Sequence, residues 1–470
     1  MRNLTMMTDF YQLTMMEAYR NCGTDSRRAV FDLFFRPKGE LKYAVAAGLE
    51  QAVNYIKNLE FTDGDIKYLR DTHNFGEDFL RALKAFKFTG DVYAVPEGTV
   101  VFPYEPILVV DAPIFQAQLL ETALLNIINH QTLIATKAAR VVSVAGGNVM
   151  EFGLRRAQGP DAGIYGARAA MIGGCSGTSN VLAGKLFGVP VLGTHGHSFI
   201  MSFESELEAF RAYARSYPDS CLLLVDTYDT LKSGIPNAIK VFGELWEQGK
   251  RPAGIRLDSG DLAYISKKAR KMLDDAGFED ALIYASGDLD EYSISSLIAQ
   301  GARIDNWGVG TKLITSEQVP SLGGVYKLAA SEKDGVLHPV IKISENQEKI
   351  TNPDRKKIVR IYDMSGMAQA DLLTLWDERI DTSKPLTIFH PIETWKRTTF
   401  TEFYVRELLV KVFEGGNLVY KMPALSDIIS YANAELNTFW KEYRRIEKPQ
   451  IYKVDLSQKL YDLKQELLHR

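Results

Sequence analysis

The middle of the chain, residues 140–330, alternates short apolar runs with amphipathic stretches of helical length. Runs such as CLLLV, GIRL and ALIYA are nearly continuous in apolar residues, which is typical of strands buried on both faces. Strict alternation of strand and helix predicts a parallel sheet in an α/β fold. The number of units favours an irregular β/α barrel of the TIM type.

The flanking regions have a different texture. Residues 1–135 begin with a helical pattern near Tyr11–Tyr19 and end in a long apolar helix at about 116–139, so we predict a mixed α/β domain. The barrel is predicted at 136–345. Residues 346–470 are more charged and less regular, with a helical stretch from about Ala432. We expect this carboxyl-terminal region to pack on the amino-terminal domain.

Composition excludes several classes of protein. The formal charge of -4 over 470 residues gives no general attraction to nucleic acid or to an acidic membrane. Three scattered cysteines without a CxxC pair predict neither a disulfide scaffold nor a zinc site. Neither a signal peptide nor an apolar run of about 20 residues is apparent. We therefore expect a cytoplasmic protein that binds neither nucleic acid nor membrane.

Polar, glycine-rich sequence follows each predicted strand of the middle region, where parallel α/β folds bind ligands. The first such segment, GTHGHS, contains His195 and His197. A histidine there can act as a nucleophile or general base if a carboxylate fixes its tautomer, and Asp226 at the next strand end is the best candidate. The alternative is a pair of histidines satisfied by backbone groups.

The segment RLDSGD places Arg256 within an apolar run. A buried guanidinium is costly unless it meets an anion, so Arg256 is a candidate anion ligand. Asp258 and Asp261 could bind a divalent metal or a ribose. For Asp261 the favoured interpretation is a cap of the helix that starts at Leu262.

Two further loops can present backbone N–H groups to phosphate. They contain Gly287 and Asp288 in ASGD, and Gly308, Gly310 and Thr311 in GVGT. One such loop alone is more often a plain turn, but two on successive strands favour a phosphorylated sugar as ligand.

The segment EFGLRR supplies an arginine for phosphate, Arg155, and an aromatic ring for stacking, Phe152. Ordinary core packing is the alternative for Phe152. The segment GTSNVLAGK is not a P-loop, because its glycines have the wrong spacing and Leu186 stands where Ser or Thr is needed.

Together these segments closely resemble the nicotinate phosphoribosyltransferase family over about residues 6–355. The motifs that carry the resemblance are MTDFYQLTM, EFGLRRAQGP, GTSNVLAGKLFGVPVLGTHGHSF, IRLDSGDL, YASGDLDE and GVGTKLITS. The resemblance implies that the chain joins nicotinate to phosphoribosyl pyrophosphate, with ATP as co-substrate. It also implies magnesium, which neutralises the leaving pyrophosphate, and a homodimer with shared active sites.

The resemblance also implies residue roles. His197 is the histidine phosphorylated by ATP, with Asp226 as its acidic partner, and Arg256 meets the nicotinate carboxylate and a nearby phosphate. Phe152 and Tyr11 sandwich the pyridine ring, and Tyr11 comes from the second subunit. Arg155 matches a position that contacts phosphoribosyl pyrophosphate, and the ribose and phosphate loops are matched by Gly287, Asp288, Gly308 and Gly310. Asp258 and Thr311 are further candidate substrate-binding residues.

Three rival functions remain at this point. A nicotinamide phosphoribosyltransferase would carry Asp where this chain has Ser179, and a neutral serine suits a carboxylate better. The alternative for Ser179 is a cap of the helix near Val181. A sugar-phosphate isomerase or aldolase would explain the phosphate loops, with Lys312 as the obvious candidate Schiff base. A non-catalytic binding protein is the third.

Overall fold

The computed structural model describes residues 3–37, 39, 41–146 and 148–469. The strands, in chain order, are β1 (Arg28–Phe35), β2 (Ala44–Val45), β3 (Asp91–Ala94), β4 (Val100–Val101), β5 (Leu108–Pro113), β6 (Val149–Glu151), β7 (Gly177–Thr178), β8 (Leu222–Leu224), β9 (Gly254–Leu257), β10 (Leu282–Ser286), β11 (Asn306–Val309), β12 (Gly324–Lys333), β13 (Val336–Pro339), β14 (Lys356–Tyr362), β15 (Ala368–Leu375), β16 (Leu386–Phe389), β17 (Arg397–Phe400), β18 (Tyr404–Glu407), β19 (Val410–Glu414), β20 (Asn417–Leu418) and β21 (Val454–Leu456).

The α-helices, in chain order, are α1 (Phe10–Asn21), α2 (Leu49–Lys57), α3 (Asp63–His73), α4 (Glu77–Lys84), α5 (Ile114–Ala145), α6 (Pro160–Ile172), α7 (Val181–Phe187), α8 (His197–Met201), α9 (Glu206–Ser216), α10 (Ile235–Glu247), α11 (Leu262–Asp275), α12 (Glu291–Ala299), α13 (Thr311–Ile314), α14 (Leu425–Asn437), α15 (Lys441–Arg444) and α16 (Gln458–Leu468). Among the described residues, none of these helices has the length and apolar character needed to cross a bilayer.

The chain divides into two compact units. Unit 1 contains the described residues up to 133 and from 321 onward, and unit 2 contains residues 134–320. The mixed α/β class predicted from the sequence is confirmed. Strands β12 and β13, which the sequence-based division assigned to the middle domain, pair in the large sheet of unit 1.

Unit 1 is built on mainly antiparallel sheets, with one parallel pair, β15 and β21. Seven strands have the order β13-β12-β1-β5-β3-β19-β20, and four have the order β18-β14-β15-β21. Residues 346–470 were expected to be less regular than the rest, and this was wrong, because eight strands and three α-helices lie among the described residues there. Strand β14, KKIVRIY, is buried along its whole length and pairs in an antiparallel ladder with Ala368–Leu375.

Unit 2 contains the predicted parallel sheet, in the order β7-β6-β11-β10-β9-β8. Its apolar core includes Phe210 of α9, Phe242 of α10 and Ile255 of β9, all fully buried. The carboxyl ends of the six strands therefore lie along one edge of the sheet, which is where the candidate residues were expected.

The segment VPVLGTHGHS was expected to form a further strand, and this was wrong. Only Val191 makes an isolated parallel bridge, to Thr178, because Pro190 and the glycines that follow interrupt a ladder. On its other side the segment contacts β8 through the hydroxyl of Thr194, which donates to the carbonyl of Leu222 at 2.6 Å. Among the described residues of unit 2, the strands therefore pair into an open six-stranded sheet, and a closed TIM barrel is not shown.

Candidate active site

His197 and Asp226 form the centre of the candidate site in unit 2. His197 is the first residue of α8, and its Nε2 lies 3.3 Å from Oδ1 of Asp226 just after β8. The Asp226 side chain is 1% exposed, whereas that of His197 is 40% exposed. Asp226 thus orients the histidine from the protein interior, and the rest of the imidazole is accessible to solvent. A side chain that reacts with a ligand needs this accessibility.

The next strand end fixes Asp226. Its Oδ2 accepts hydrogen bonds from the backbone amide of Asp258 at 3.0 Å and from the hydroxyl of Ser259 at 2.6 Å. The two hydrogen bonds fix the orientation of the carboxylate. Ser259 was not identified as a site residue from the sequence. Its position within RLDSGD, just after β9, was the feature that could have indicated it.

His195 has a structural role. Its Nε2 accepts a hydrogen bond from the amide of Leu224 at 3.3 Å, and its ring packs edge-on against Tyr213 at 4.6 Å between centroids. Burial, with the nearby positive charge of Arg256, lowers the pKa of His195 to about 4. The backbone-satisfied interpretation therefore applies to Nε2 of His195, although its buried Nδ1 has no hydrogen-bond partner among the described residues. His197 is the more exposed of the two histidines.

Arg256 is a mostly buried cation with weak partners. Its guanidinium is 17% exposed and makes only long contacts, 3.4 Å to the carbonyl of His195 and 3.9 Å to Asp258, while its Nε has no hydrogen-bond partner among the described residues. Burial lowers the pKa of Arg256, and the nearby Arg155 acts in the same direction. A cation so poorly satisfied favours an anionic ligand.

The glycine-rich loops contact one another. Asp258 accepts a short hydrogen bond from the hydroxyl of Ser286, at the end of β10. Gly287 has φ +94°, and a Cβ there would lie 2.4 Å from the carbonyl oxygen of Asp258. Asp288 follows as an exposed carboxylate. The close approach requires glycine at 287 and leaves Asp288 accessible.

Phe152 lies against the other glycine loop. Its amide donates to the carbonyl of Val309 at 2.8 Å, and a Cβ on Gly308 would lie 2.6 Å from Cδ2 of its ring. A Cβ on Gly310 would lie 3.2 Å from the carbonyl of Phe152. Gly308 therefore makes room for the ring, a function that the phosphate-loop interpretation had not included. Thr311 begins the short helix α13.

Glu151 was overlooked in the sequence and organises the Phe152 loop. Its buried carboxylate accepts a short hydrogen bond from the amide of Gly153 and a second, at 2.6 Å, from the hydroxyl of Thr178. Burial raises the pKa of Glu151. Its position at the end of β6, within EFGLRR, was the only signal. Arg155 lies in a 3-10 turn just beyond and is exposed.

Ser179 follows β7 and is half-buried, with its amide donating to the carbonyl of Glu151 at 2.9 Å. The alternative role as a helix cap was wrong, because Asn180 caps α7 by accepting from the amide of Ala183 at 3.1 Å. Among the described residues the Ser179 hydroxyl has no recorded partner. The favoured interpretation of Asp261 is confirmed, since it caps α11 by accepting from the amide of Tyr264.

Tyr11 belongs to unit 1. It lies on α1, is 48% exposed, and donates to Glu121 at 3.2 Å. Burial and the neighbouring Glu121 raise the pKa of Tyr11 to about 12, so the hydroxyl stays protonated. Phe10 beside it is 53% exposed, which makes this end of α1 an apolar surface.

A parallel sheet whose strand ends carry a histidine–carboxylate pair, an under-paired arginine and glycine-rich loops is typical of α/β proteins that bind phosphorylated ligands. Three family models match in order: the nicotinate phosphoribosyltransferase N-terminal domain at 6–129, the nicotinate phosphoribosyltransferase family at 148–364 and its C-terminal domain at 355–464. The chain belongs to the nicotinate phosphoribosyltransferase family.

Individual relatives agree with the family models. The chain is 52% identical to the nicotinate phosphoribosyltransferase of Bacillus subtilis, covering 99% of this chain and 96% of that protein. It is 34% identical to the human one, covering 97% and 95%. The crystal structure of human nicotinic acid phosphoribosyltransferase superposes with a TM-score of 0.86 over 98% of this chain and 99% of that one, at 31% identity.

Proposed function

We propose that this protein is a nicotinate phosphoribosyltransferase, which forms nicotinate mononucleotide and pyrophosphate from nicotinate and phosphoribosyl pyrophosphate in NAD salvage. The names of the full-length relatives, from Bacillus subtilis to human, support the reaction. We propose a cytoplasmic enzyme that works as a homodimer. The exposed Phe10 and Tyr11 on α1 are consistent with a ring contributed to a second subunit's site.

We further propose that ATP hydrolysis is coupled to this reaction through a phosphohistidine at His197. The observation that carries the proposal is the half-exposed imidazole whose Nε2 faces the buried Asp226. An Nε2–H donated to Asp226 leaves the lone pair on Nδ1, which attacks the γ-phosphorus of ATP as the P–O bond to ADP breaks. The dyad stabilises the positive charge that develops on the ring.

The transfer step requires charge stabilisation more than covalent chemistry. Pyrophosphate leaves the anomeric carbon while positive charge develops on the ribose, and the pyridine nitrogen attacks. Arg256 has an Nε–H without a hydrogen-bond partner among the described residues, so it can bind the nicotinate carboxylate or a phosphate. Arg155 adds a second positive charge nearby. The loops at Gly287–Asp288 and Gly308–Thr311 would hold the ribose and its phosphate, with Phe152 under the pyridine ring.

Magnesium fits these residues only together with substrate. Among the described residues, no group of three or more His, Cys, Asp or Glu side chains is arranged to hold a metal ion. Asp258 and Asp288 are partly or fully exposed carboxylates on adjoining strand ends, and magnesium commonly uses one or two carboxylates plus substrate phosphates. When bound, the ion neutralises the leaving pyrophosphate.

The acid is favoured over the amide by Ser179, whose hydroxyl is not used as a cap and can donate to a carboxylate. The aldolase alternative loses support at Lys312. Its Nζ lies 3.2 Å from the Asp290 carboxylate, so this lysine is engaged in an ion pair at the start of α12.

The proposal is tested by measuring nicotinate mononucleotide formed from nicotinate, phosphoribosyl pyrophosphate and magnesium, with and without ATP, beside nicotinamide. We expect product from the acid in preference to the amide, and ATP stimulation that is lost in His197→Ala. Preference for nicotinamide would overturn the substrate assignment. Equal ATP stimulation in His197→Ala would overturn the phosphohistidine.

A further inference from the structure

Unit 1 contains a cavity of about 330 Å³ that takes no part in the proposed reaction. One face of the carboxyl-terminal helix α16 forms a wall with Tyr461, Lys464 and Leu468. The remaining wall is mainly aliphatic, contributed by Ile350, Leu373, Ile392, Val454 and Leu456. A volume of this size, lined by apolar side chains with a few polar groups, is typical of small-molecule sites.

Lys464 is the cation in the lining of this cavity. Its Nζ donates to Oδ1 of Asn352 at 2.8 Å, and no ion pair to it is found among the described residues. An ammonium has three N–H donors, so a neutral amide oxygen leaves it under-satisfied. Burial, and then the nearby Lys356, lower the pKa of Lys464 to about 8.

The neighbouring charges do not neutralise Lys464. Lys356 is itself neutralised by the buried Asp32 and also donates to the carbonyl of Asp354. Glu348, the acid in the cavity wall, acts on Tyr104, where its charge adds to burial in raising the pKa of the phenol. Glu348 is exposed, so solvent screens its charge, whereas Lys464 is half-buried. The charge in the cavity that is shielded from solvent and lacks an ion-pair partner among the described residues is therefore that of Lys464.

Tyr104 is held in the cavity wall in an unusual conformation. Its φ of +71° is disfavoured for a bulky side chain, and its amide is fixed by a 2.9 Å hydrogen bond to the carbonyl of Phe35. Strained residues of this kind cluster at ligand-binding sites. The cavity thus combines a rigid aromatic wall, an aliphatic lining and one unpaired cation.

We propose that this cavity is a second small-molecule site, which takes a short aliphatic monocarboxylate with its carboxylate on Nζ of Lys464 and its chain along the aliphatic wall. A carboxylate completes the hydrogen bonds of the ammonium and supplies the missing countercharge. A neutral amide of the same length would leave the charge uncompensated. The cavity lies in unit 1 and shares no lining residue with the candidate active site.

The proposal is tested by calorimetric titration of the full-length protein at pH 7 with hexanoate and with hexanamide. We expect hexanoate to bind with one site per chain and at least about tenfold more tightly than hexanamide. Lys464→Met, which keeps the length of the stem, should weaken hexanoate by at least about tenfold. The matched control Lys459→Met, an exposed lysine on the same helix, should bind as the parent does.

Two further variants keep the outcome decisive. Ile392 lines the cavity and is 59% exposed, so a larger side chain can be placed there without disturbing the core. Ile392→Trp should occupy part of the cavity and should therefore weaken the binding of hexanoate. Arg256→Met removes the anion ligand of the candidate active site and should leave hexanoate binding intact. No binding by the parent protein would overturn the proposal. Binding that survives Lys464→Met and disappears in Arg256→Met would do so as well.

Discussion

The carboxylate of Asp226 divides its two oxygens between two partners: Oδ1 lies 3.3 Å from Nε2 of His197, and Oδ2 accepts from the Asp258 amide and the Ser259 hydroxyl. The strand end after β9 therefore fixes the orientation of the carboxylate that faces the histidine. This arrangement makes the tautomer of His197 depend on a neighbouring strand as well as on Asp226 itself.

The change Asp226→Asn should uncouple ATP from product formation. An amide turned to keep its oxygen on the two Oδ2 donors presents NH₂ to His197, so the ring must offer a lone pair at Nε2 and loses its countercharge. We expect phosphorylation of His197 by ATP to fall by about 10²- to 10⁴-fold. Transfer measured without ATP should fall much less. The measurement is ³²P incorporation from labelled ATP beside product formation.

Asp261→Asn is the matched control for this prediction. Asp261 lies near Asp258, is exposed, and only caps α11, a role that asparagine performs equally well. Labelling should be unchanged in it. Normal labelling in Asp226→Asn would show that the carboxylate is not the partner of the phosphoacceptor.

Much of unit 2 could be predicted because its signals are local. Continuous apolar runs predicted strands such as β8, β9 and β10, and the polar residues that follow them predicted the edge at which Asp226 and Arg256 lie. Parallel topology alone then brings successive strand ends together. Motif resemblance added the choice between His195 and His197, which periodicity could not make.

Other features depend on contacts distant in sequence. The segment around Val191 was mistaken for a strand because apolar composition does not reveal that only one side of it finds a backbone partner. The capping of α7 by Asn180 rather than Ser179 differs by one residue, which is within the uncertainty of helix boundaries. The packing of Phe152 on Gly308 joins β6 to β11, so no local pattern predicts it.

Ser179→Asp should discriminate against the acid. A second negative charge near the nicotinate carboxylate costs roughly 1–4 kcal/mol at ~4 Å, depending on the local dielectric. An aspartate can instead accept from the NH₂ of a carboxamide. We therefore expect KM for nicotinate to rise more than KM for nicotinamide, measured by product formation from each base. Ser205→Asp, a change at the exposed cap of α9, adds the same charge and should alter neither. Equal losses for both bases would exclude a role for Ser179 in selectivity.

Gly308→Ala should displace the Phe152 ring. The added Cβ would lie 2.6 Å from Cδ2 and 2.7 Å from Cε2 of that ring, closer than real contacts allow. Overpacking of this kind typically costs about 1–3 kcal/mol. We expect KM for nicotinate to rise while the ³²P labelling of His197 stays normal, because the dyad does not touch the ring.

Gly243→Ala tests whether the effect is specific. Gly243 lies in α10 with no atom within 4 Å of an added Cβ, so alanine should stabilise the helix by roughly 0.5–1 kcal/mol. Thermal unfolding measured beside KM separates the two effects. An unchanged KM in Gly308→Ala would mean that the ring does not form part of the nicotinate site.

Glu105 of unit 1 should make stability depend on pH. Its side chain is fully buried, its Oε2 accepts from the amide of Phe102 at 2.8 Å, and its Oε1 has no partner among the described residues. Burial first, and then repulsion from Asp371, hold its pKa well above the usual range. The folded protein therefore retains a proton on Glu105 at pH values where the unfolded chain has released it.

The sign of the effect follows from linkage. Because the folded state binds the extra proton, the free energy of unfolding falls as pH rises from the ordinary glutamate pKa toward the raised one, by up to roughly 1.4 kcal/mol per pH unit. Glu105→Gln mimics the protonated acid but does not titrate. The free energy of unfolding of this variant should therefore decline less than that of the parent between pH 5 and 8. This range begins just above the ordinary glutamate pKa of about 4.3. Urea unfolding across that range measures the difference. The exposed pair Glu414–Lys411 supplies the control, since Glu414→Gln should keep the parental slope. Parallel pH profiles for the parent and Glu105→Gln would show that Glu105 is ionised in the folded protein.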